Sequence, residues 1–539
     1  MSKYSFNYLE KIFFFLIVIL NLMPILSGTF FPSLDGPAHL YNAQIIHSLL
    51  LDGHSQLNSF FSLNPEPVPN WIGHFILVCC NLFFSAEISE KTLVLLYAVG
   101  LPIVFRSFIK AVSPQNILFS YFIFPFTYSF VFMIGFYNFS IALIFLFITL
   151  TYWIKHNTAN FSIKRAVILF LLVALTYFSH ILVFVLLLLF LGIYTATKLV
   201  ISVLQNRSSL KVPLVLAFKE AGAFAISSFL PIILFCYYFF SRTSGDGFYI
   251  PTLELISWLK NLRPIISYSF EKEEAFTQSI VYLIVSLLLI AVYNKLTKIV
   301  WRSDLSLQSN LLLISKKIRM VSVFFFLSTV MLFVLYFKLP DSDGSSGFVS
   351  VRLALLIFVF LICWLSTQYF PRWVLMLLVV VVLYCNFNLN NYRISVIRNL
   401  DEVALDCYSS AKYIAPNSVI LPLNYSDNWL QLHFSNYLGI DKPVVILENY
   451  ECGTGYFPVN WNAQTPNVSL GNSNMSEFPC QQWRGNDSRI LERIDYVFVL
   501  GDMNSKTDSC NAILQLTIKE NYTLVNQSKY ARLYELKKQ

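Results

Sequence analysis

The chain has 539 residues, 56% of them hydrophobic and only 13% charged, with 51 Phe, 30 Tyr and a mean hydropathy of +0.61. A soluble domain carries about 25% charged residues, so the composition excludes a soluble globular protein and points to a polytopic membrane protein. The formal charge of +8 is no nucleic-acid signal, because cytoplasmic loops of membrane proteins concentrate Lys and Arg.

The first apolar run, Ile12 to Phe30, follows Lys3 and Lys11. Its length, and the lack of a small-x-small cleavage site after Met23-Pro24, predict a retained anchor rather than a cleaved signal. Directly behind it stands Phe31-Pro32-Ser33-Leu34-Asp35-Gly36-Pro37-Ala38-His39. A carboxylate at the mouth of a membrane helix is costly unless it is solvated, paired or used, which makes Asp35 a candidate functional residue. The bland alternative is that Asp35 only caps a helix beginning at Ala38. His39 lies one turn into that helix, where a lone His is most often a hydrogen-bonded interface residue.

The turn Asn64-Pro65-Glu66-Pro67-Val68-Pro69-Asn70 precedes a further apolar stretch, Trp71 to Ala86. Counting this stretch as a span flips every later loop, so it is read as a helix lying in the outer interface. Runs long enough to cross about 30 Å of hydrocarbon fall near 12–31, 92–109, 115–133, 139–154, 164–179, 181–197, 221–240, 278–294, 320–337, 349–368 and 373–388, eleven in all. From a cytoplasmic N-terminus, the basic groups Arg106, Lys110, Lys155, Lys164, Arg165, Lys198, Lys295, Lys316, Lys317 and Arg372 then share the cytoplasmic side. The outer side takes 32–91, 134–138, the tight hop at Ser179-His180, 241–277, 338–348 and everything after 388, as the positive-inside rule requires. His180 sits in a hop too short for an ordinary exposed loop. Arg352, at the outer end of a span, either pairs with an acid of the 341–347 loop or binds a lipid phosphate. Glu271-Lys272-Glu273-Glu274 reads as a solvated face, and His433 as a surface or core residue.

After residue 388 the composition changes. Ser418–Leu423, Pro443–Leu447 and Ile494–Gly501 are short apolar runs bounded by turn residues and read as buried strands. Helical patterns alternate with them at Asp401–Ile414 and Ser509–Lys519, which predicts a small extracytoplasmic α/β domain over 389–539 behind a membrane module over 1–388. Cys407, Cys452, Cys480 and Cys510 in this tail predict one or two disulfides, and none has the CxxC spacing of a zinc site.

An N-terminal span, an Asp opening a long outer loop with a helical return, many further spans and an outer α/β domain together resemble the GT-C superfamily of membrane glycosyltransferases. The matching words are Leu34-Asp35-Gly36-Pro37-Ala38-His39, Pro69-Asn70, Ser85-Ala86-Glu87, Gly135-Phe136-Tyr137-Asn138-Phe139 and Ser179-His180, and they are most similar to an uncharacterised bacterial branch. The resemblance implies a mainly α fold, a polytopic helical module of about eleven spans with its C-terminal α/β domain. It implies an inverting enzyme of the cytoplasmic (inner) membrane that moves a sugar from a polyprenyl-phosphate donor to a glycan or protein acceptor at the outer face. Asp35 is then the catalytic base, with His39, His180, Arg352 and Asn70 as substrate contacts. Its partners are the lipid-linked sugar and membrane lipids, with no nucleic acid and no cofactor. Gly36 follows Asp35, so a mechanism needing two adjacent acids is disfavoured, and no DxD motif follows directly on Asp35, which favours metal independence. The other classes are a lipid-linked glycan transporter and a non-catalytic membrane scaffold. Few charges and no internal repeat weaken the transporter reading.

Overall fold

The computed structural model describes residues 3–51, 56–156, 162–205, 211–242, 245, 247–300, 309–342, 344, 347–462, 494–505 and 509–538. Ten helices among them are long and apolar enough to cross a membrane, so the chain is a multi-pass membrane protein. They match ten of the eleven expected spans. The other expected span is the seventeen-residue helix Ile163–Ser179. The apolar helix Trp71–Asn81 has eleven residues. At 1.5 Å per residue it reaches about 16 Å, short of a crossing, as the interfacial reading requires.

The span over 114–133 is not a single α-helix. It is built as a 3-10 stretch Pro114–Phe122, then Ile123–Thr127 and Phe130–Met133. Irregular backbone survives at membrane depth only inside protein, and this segment is almost wholly buried. Asn116 anchors it by donating from Nδ2 to the carbonyls of Ser366 and Gln368 at 2.7 and 2.6 Å.

The chain divides into two compact units. The first comprises Met1–Met23, Leu96–Phe132 and Phe139–Arg393. At its heart the helix Val349–Ser366 is buried on nearly every side, and Phe360 stacks on Phe190 with ring centroids 4.1 Å apart. A helix that is apolar all round is one that other protein surrounds. Glu10 takes both guanidinium nitrogens of Arg106, at 2.6 and 2.8 Å. One expectation is overturned here: Glu273 is not part of a solvated face. It is fully buried, its Oε2 accepts the backbone N–H groups of Ser267, Tyr268 and Ser269 at 2.8 to 3.0 Å, and its Oε1 lies 3.7 Å from Nε of the equally buried Arg393. The turn before its helix leaves donors without partners, and the carboxylate supplies them.

The second unit comprises Pro24–Leu95, Met133–Asn138 and Ile394–Gln539. The expected boundary at 388 lies inside one continuous helix, Arg372–Ser410. At 39 residues that helix is about 58 Å long, so it outruns the hydrocarbon. The strands of this unit are β1 (Phe61–Leu63), β2 (Val419–Tyr425), β3 (Val445–Ile446), β4 (Val459–Trp461), β5 (Tyr496–Gly501), β6 (Tyr522–Gln527) and β7 (Ala531–Leu536). Five form a sheet in the order β3-β2-β5-β7-β6. Strand β2 runs parallel to β3 and β5, with Leu421 opposite Val497, and the β6–β7 hairpin closes the other edge antiparallel. Strands β2, β3 and β5 are apolar throughout their buried length because both faces are covered. The helix Ser509–Asn521 leads into the hairpin. Strand β1, from the loop over 32–91, pairs antiparallel with β4, so the loop and the tail form one folded body. Cys510 is disulfide-bonded, Cys407 and Cys452 are free and buried, and Cys480 lies outside the described residues.

Candidate active site

The loop behind the first span is held from both flanks by carboxylates. Asp401 accepts the N–H groups of Thr29 and Phe30 at 2.8 Å each, and Glu90 accepts that of Phe31 at 3.0 Å. The chain then turns into the helix Gly36–Leu51. The first helical bond runs from the N–H of His39 to the carbonyl of Asp35 at 3.0 Å, and the N–H of Asp35 is bound by the carbonyl of Ile134 at 3.1 Å. The side-chain cap is Ser33, whose Oγ accepts the N–H of Gly36 at 3.0 Å. The capping reading therefore assigns the wrong residue. Asp35 stands at the N-cap position, yet among the described residues its carboxylate accepts no N–H of the helix.

That carboxylate instead faces an imidazole. His433 Nε2 lies 3.8 Å from Asp35 Oδ1. The other ring nitrogen, Nδ1, meets Glu448 Oε1 at 2.6 Å, and Glu448 is itself fixed by Asn436 and Ser435 at 2.7 and 3.2 Å. The His433 ring stacks on Tyr450 at 4.5 Å, whose hydroxyl donates to Asp35. Asp35 is 7% exposed and His433 4%. Burial pushes the Asp35 carboxyl above its ordinary range, against the opposing pull of His433 and His39. Burial works against a charged His433, but Glu448 and Asp35 lift it above the usual imidazole value. A carboxylate raised towards neutrality and facing an imidazole oriented by a second carboxylate is suited to accept a proton.

Gly135 is the backbone piece that permits this approach. Its φ is +97°, and a Cβ there would meet the amide nitrogens of Asp35 and Gly36 at 2.9 Å. Its carbonyl receives His39 Nε2 at 3.0 Å. His39 Nδ1 points the other way, to Glu451 Oε1 at 2.6 Å, and Glu451 Oε2 meets His74 Nε2 at 2.9 Å. Burial opposes ionisation of Glu451, yet His39 and His74 hold its carboxyl down at about 2. Burial likewise opposes charge on His39, and Glu451 overcomes it to raise that imidazole. The donor atoms of His39, His74 and Glu451 all lie within 4.8 Å of one another, which makes them the described residues able to hold a metal ion.

The sequence-predicted residues separate as follows. Asp35, His39 and Asn70 belong to the second unit. Asn70 takes a left-handed φ of 67° ahead of the Trp71–Asn81 helix. Its carbonyl accepts His74 Nδ1 at 3.2 Å and Asn138 Nδ2 at 3.1 Å, and its side-chain amide donates to the carbonyl of Tyr456 at 3.4 Å. His180 and Arg352 belong to the first unit, on the ring of Phe139: the imidazole edge-on at 5.3 Å and the guanidinium over it at 5.6 Å. Burial and the Arg352 charge hold His180 well below the ordinary value. Asp341, the described acid of the 341–347 loop, accepts the N–H of Ser350 on its Oδ1 at 2.8 Å. Sequence reasoning missed His74, His433, Glu448, Tyr450 and Glu451.

The described residues form a multi-pass helical module and an α/β domain, with a buried acid behind the first span, the architecture that the GT-C resemblance implies. No family model and no curated protein sequence matches the chain. Among solved structures, that of ArnT from Cupriavidus metallidurans bound to undecaprenyl phosphate shares the fold, with a TM-score of 0.52 over 99% of this chain and 98% of that chain. The two sequences are 10% identical, so the likeness is one of fold.

Proposed function

We propose that the protein is an inverting membrane glycosyltransferase that moves a sugar from a polyprenyl-phosphate donor to an acceptor at the outer face of the cytoplasmic membrane. The observation that carries this reading is the Asp35 carboxylate, buried, released from capping and facing His433 at 3.8 Å. Support for a lipid-linked donor comes from a neighbour of the same fold crystallised with undecaprenyl phosphate. In the proposed step Asp35 accepts the proton of an acceptor hydroxyl as its oxygen bonds to the anomeric carbon. The anomeric carbon–oxygen bond to phosphate breaks with inversion, and the polyprenyl phosphate leaves with the electron pair. His433 steadies the Asp35 charge and Glu448 orients His433. Cationic or hydrogen-bond-donating groups must hold the departing phosphate. The reading requires no metal in the chemical step.

The test is Asp35→Asn, which keeps shape and removes the basic carboxylate. A positioned general base contributes about 10² to 10⁴ in rate, so mass analysis of surface glycans and glycoproteins should show the product lost while membrane levels of the protein stay normal. An unchanged product would leave Asp35 without a chemical role and favour the scaffold or transporter class.

A further inference from the structure

We infer that His39, His74 and Glu451 are the protein ligands of a divalent metal ion, zinc by donor type, bound beside Asp35 within the second unit. Three buried donors converge, with His39 4% exposed and His74 and Glu451 fully enclosed. They come from three separate segments: the first turn of Gly36–Leu51, the first turn of Trp71–Asn81 and the short turn Glu451–Gly453.

The hydrogen bonds of the two rings decide the case. His39 Nε2 faces the Gly135 carbonyl at 3.0 Å and His74 Nδ1 the Asn70 carbonyl at 3.2 Å. A ring nitrogen facing a carbonyl must carry the proton, so in a neutral imidazole the opposite nitrogen presents a lone pair. Both lone pairs are thereby turned on Glu451. Carbonyl-anchored imidazoles aimed at one point are how metal-ligating histidines are oriented.

His74 Nε2 and Glu451 Oε2 meet at 2.9 Å as a hydrogen bond, but the second facing pair lacks one. His39 Nδ1 and Glu451 Oε1 are buried 2.6 Å apart, yet neither finds a hydrogen-bond partner of proper geometry. Without a cation, two imidazole nitrogens and a carboxylate face one another in an enclosed space. A dication instead satisfies both lone pairs and the carboxylate, and its charge balances Glu451 together with Asp35.

Two imidazole nitrogens and one carboxylate oxygen suit zinc better than magnesium or calcium, which prefer all-oxygen shells. Three protein ligands leave a fourth position open. Asn42 Nδ2 donates to Glu451 Oε2 at 2.7 Å and steadies that carboxylate from behind. The ion would pin the Gly36–Leu51 and Trp71–Asn81 helices to the Glu451 turn and fix the helical turn that carries both Asp35 and His39. This inference does not depend on the glycosyltransferase reading.

The experiment is elemental analysis of the full chain, purified in detergent through a tag without histidines. One zinc per chain is expected, or is taken up when Zn²⁺ is added after chelation. Reloading should raise the Tm by several degrees, and Mg²⁺ should not. Asp35→Asn should keep the metal. His74→Ala and Glu451→Gln should lose it, and His74→Cys, which restores a zinc ligand, should regain it. Folded wild-type protein that neither carries zinc, nor takes it up, nor gains Tm from it overturns the inference. So does a His74→Ala protein that keeps full occupancy.

Discussion

Replacing His433 with Gln removes the imidazole that faces Asp35 and leaves the carboxylate in place. Both side chains are enclosed, with exposures of 6% and 10%, so solvent screens little of their interaction. Two unit charges about 4 Å apart attract by about 4 kcal/mol at an effective dielectric of 20. An opposite charge at that range lowers a carboxyl by about 1 to 3 pH units. In the wild type, burial raises Asp35 and His433 opposes the rise. Taking His433 away lets burial act unopposed from that side, so Asp35 binds its proton up to a higher pH. A general base is useful only when ionised. The acidic limb of kcat/KM should therefore move to higher pH by about 1 to 3 units, with activity recovering as the pH rises further. Asp35→Asn, by contrast, stays inactive at every pH. The assay is sugar transfer from a synthetic polyprenyl-phosphate donor in detergent between pH 5 and 9, with both variants at matched membrane levels. A His433→Gln enzyme whose acidic limb coincides with that of the wild type would refute the coupling and with it the argument that His433 tunes Asp35.

Asp35→Asn should also raise the Tm at neutral pH. A carboxyl whose folded value is raised contributes stability below its unfolded value and loses it as pH rises through the folded value, so the gain should fade on acidification, and a lower Tm at neutral pH would give Asp35 a structural role. Gly135→Ala should destabilise the second unit by about 1 to 3 kcal/mol or more, since its φ of +97° and the 2.9 Å approach to Asp35 leave no room for a Cβ; an unchanged Tm would contradict that backbone geometry. Glu273→Gln leaves Arg393 buried without its counter-charge and should cost about 3 to 5 kcal/mol, whereas Glu273→Gln with Arg393→Met should recover much of it. Additive losses in that cycle would show that the pair does not interact. Reporter fusions at His156 and Lys295 should read cytoplasmic, and those at Asn261 and the C-terminus external, following the Lys and Arg bias; an internal C-terminus would overturn the proposed orientation.

The spans were legible because burial in lipid imposes one rule over a length of twenty residues. The Trp71–Asn81 helix was legible as something other than a span, because counting it as one breaks the charge bias, and its eleven residues are too few to cross. Strands β2, β3 and β5 showed as short apolar runs, and Asp35 showed because a carboxylate at a helix mouth is anomalous by itself. The partners of Asp35 and His39 did not show. His74 and Glu451 are 377 positions apart in the chain, and Asp35 and His433 are brought together only because the first outer loop folds with the tail. No local spacing encodes such a meeting. One signal was present: Leu447-Glu448-Asn449-Tyr450-Glu451 follows the carboxyl end of the parallel strand β3, the place where open α/β sheets put functional residues. Glu273 was misread because a run of charges looks solvated until the turn that needs its carboxylate is known.

Among its described residues the second unit buries five acids, and their partners sort them. Asp401 and Glu90 hold backbone N–H groups of the 29–31 loop. Glu448 holds His433 together with Ser435 and Asn436, and Glu451 holds two imidazoles and Asn42. Asp401, Glu448 and Glu451 each have several donors to set against the desolvation of a buried charge, whereas burial outweighs the donors of Glu90 and pushes its carboxyl up to about 8. Asp35 has the Tyr450 hydroxyl and an imidazole beyond hydrogen-bond reach. A buried carboxylate supported so thinly is poorly placed to stabilise the fold and well placed to take a proton, because protonation relieves the desolvation that burial imposes. The other four acids fix the loop and the imidazole around it. Glu90 spends its carboxylate on the Phe31 N–H and the Tyr137 hydroxyl; what distinguishes Asp35 is that its carboxylate holds no backbone N–H and faces an oriented imidazole instead.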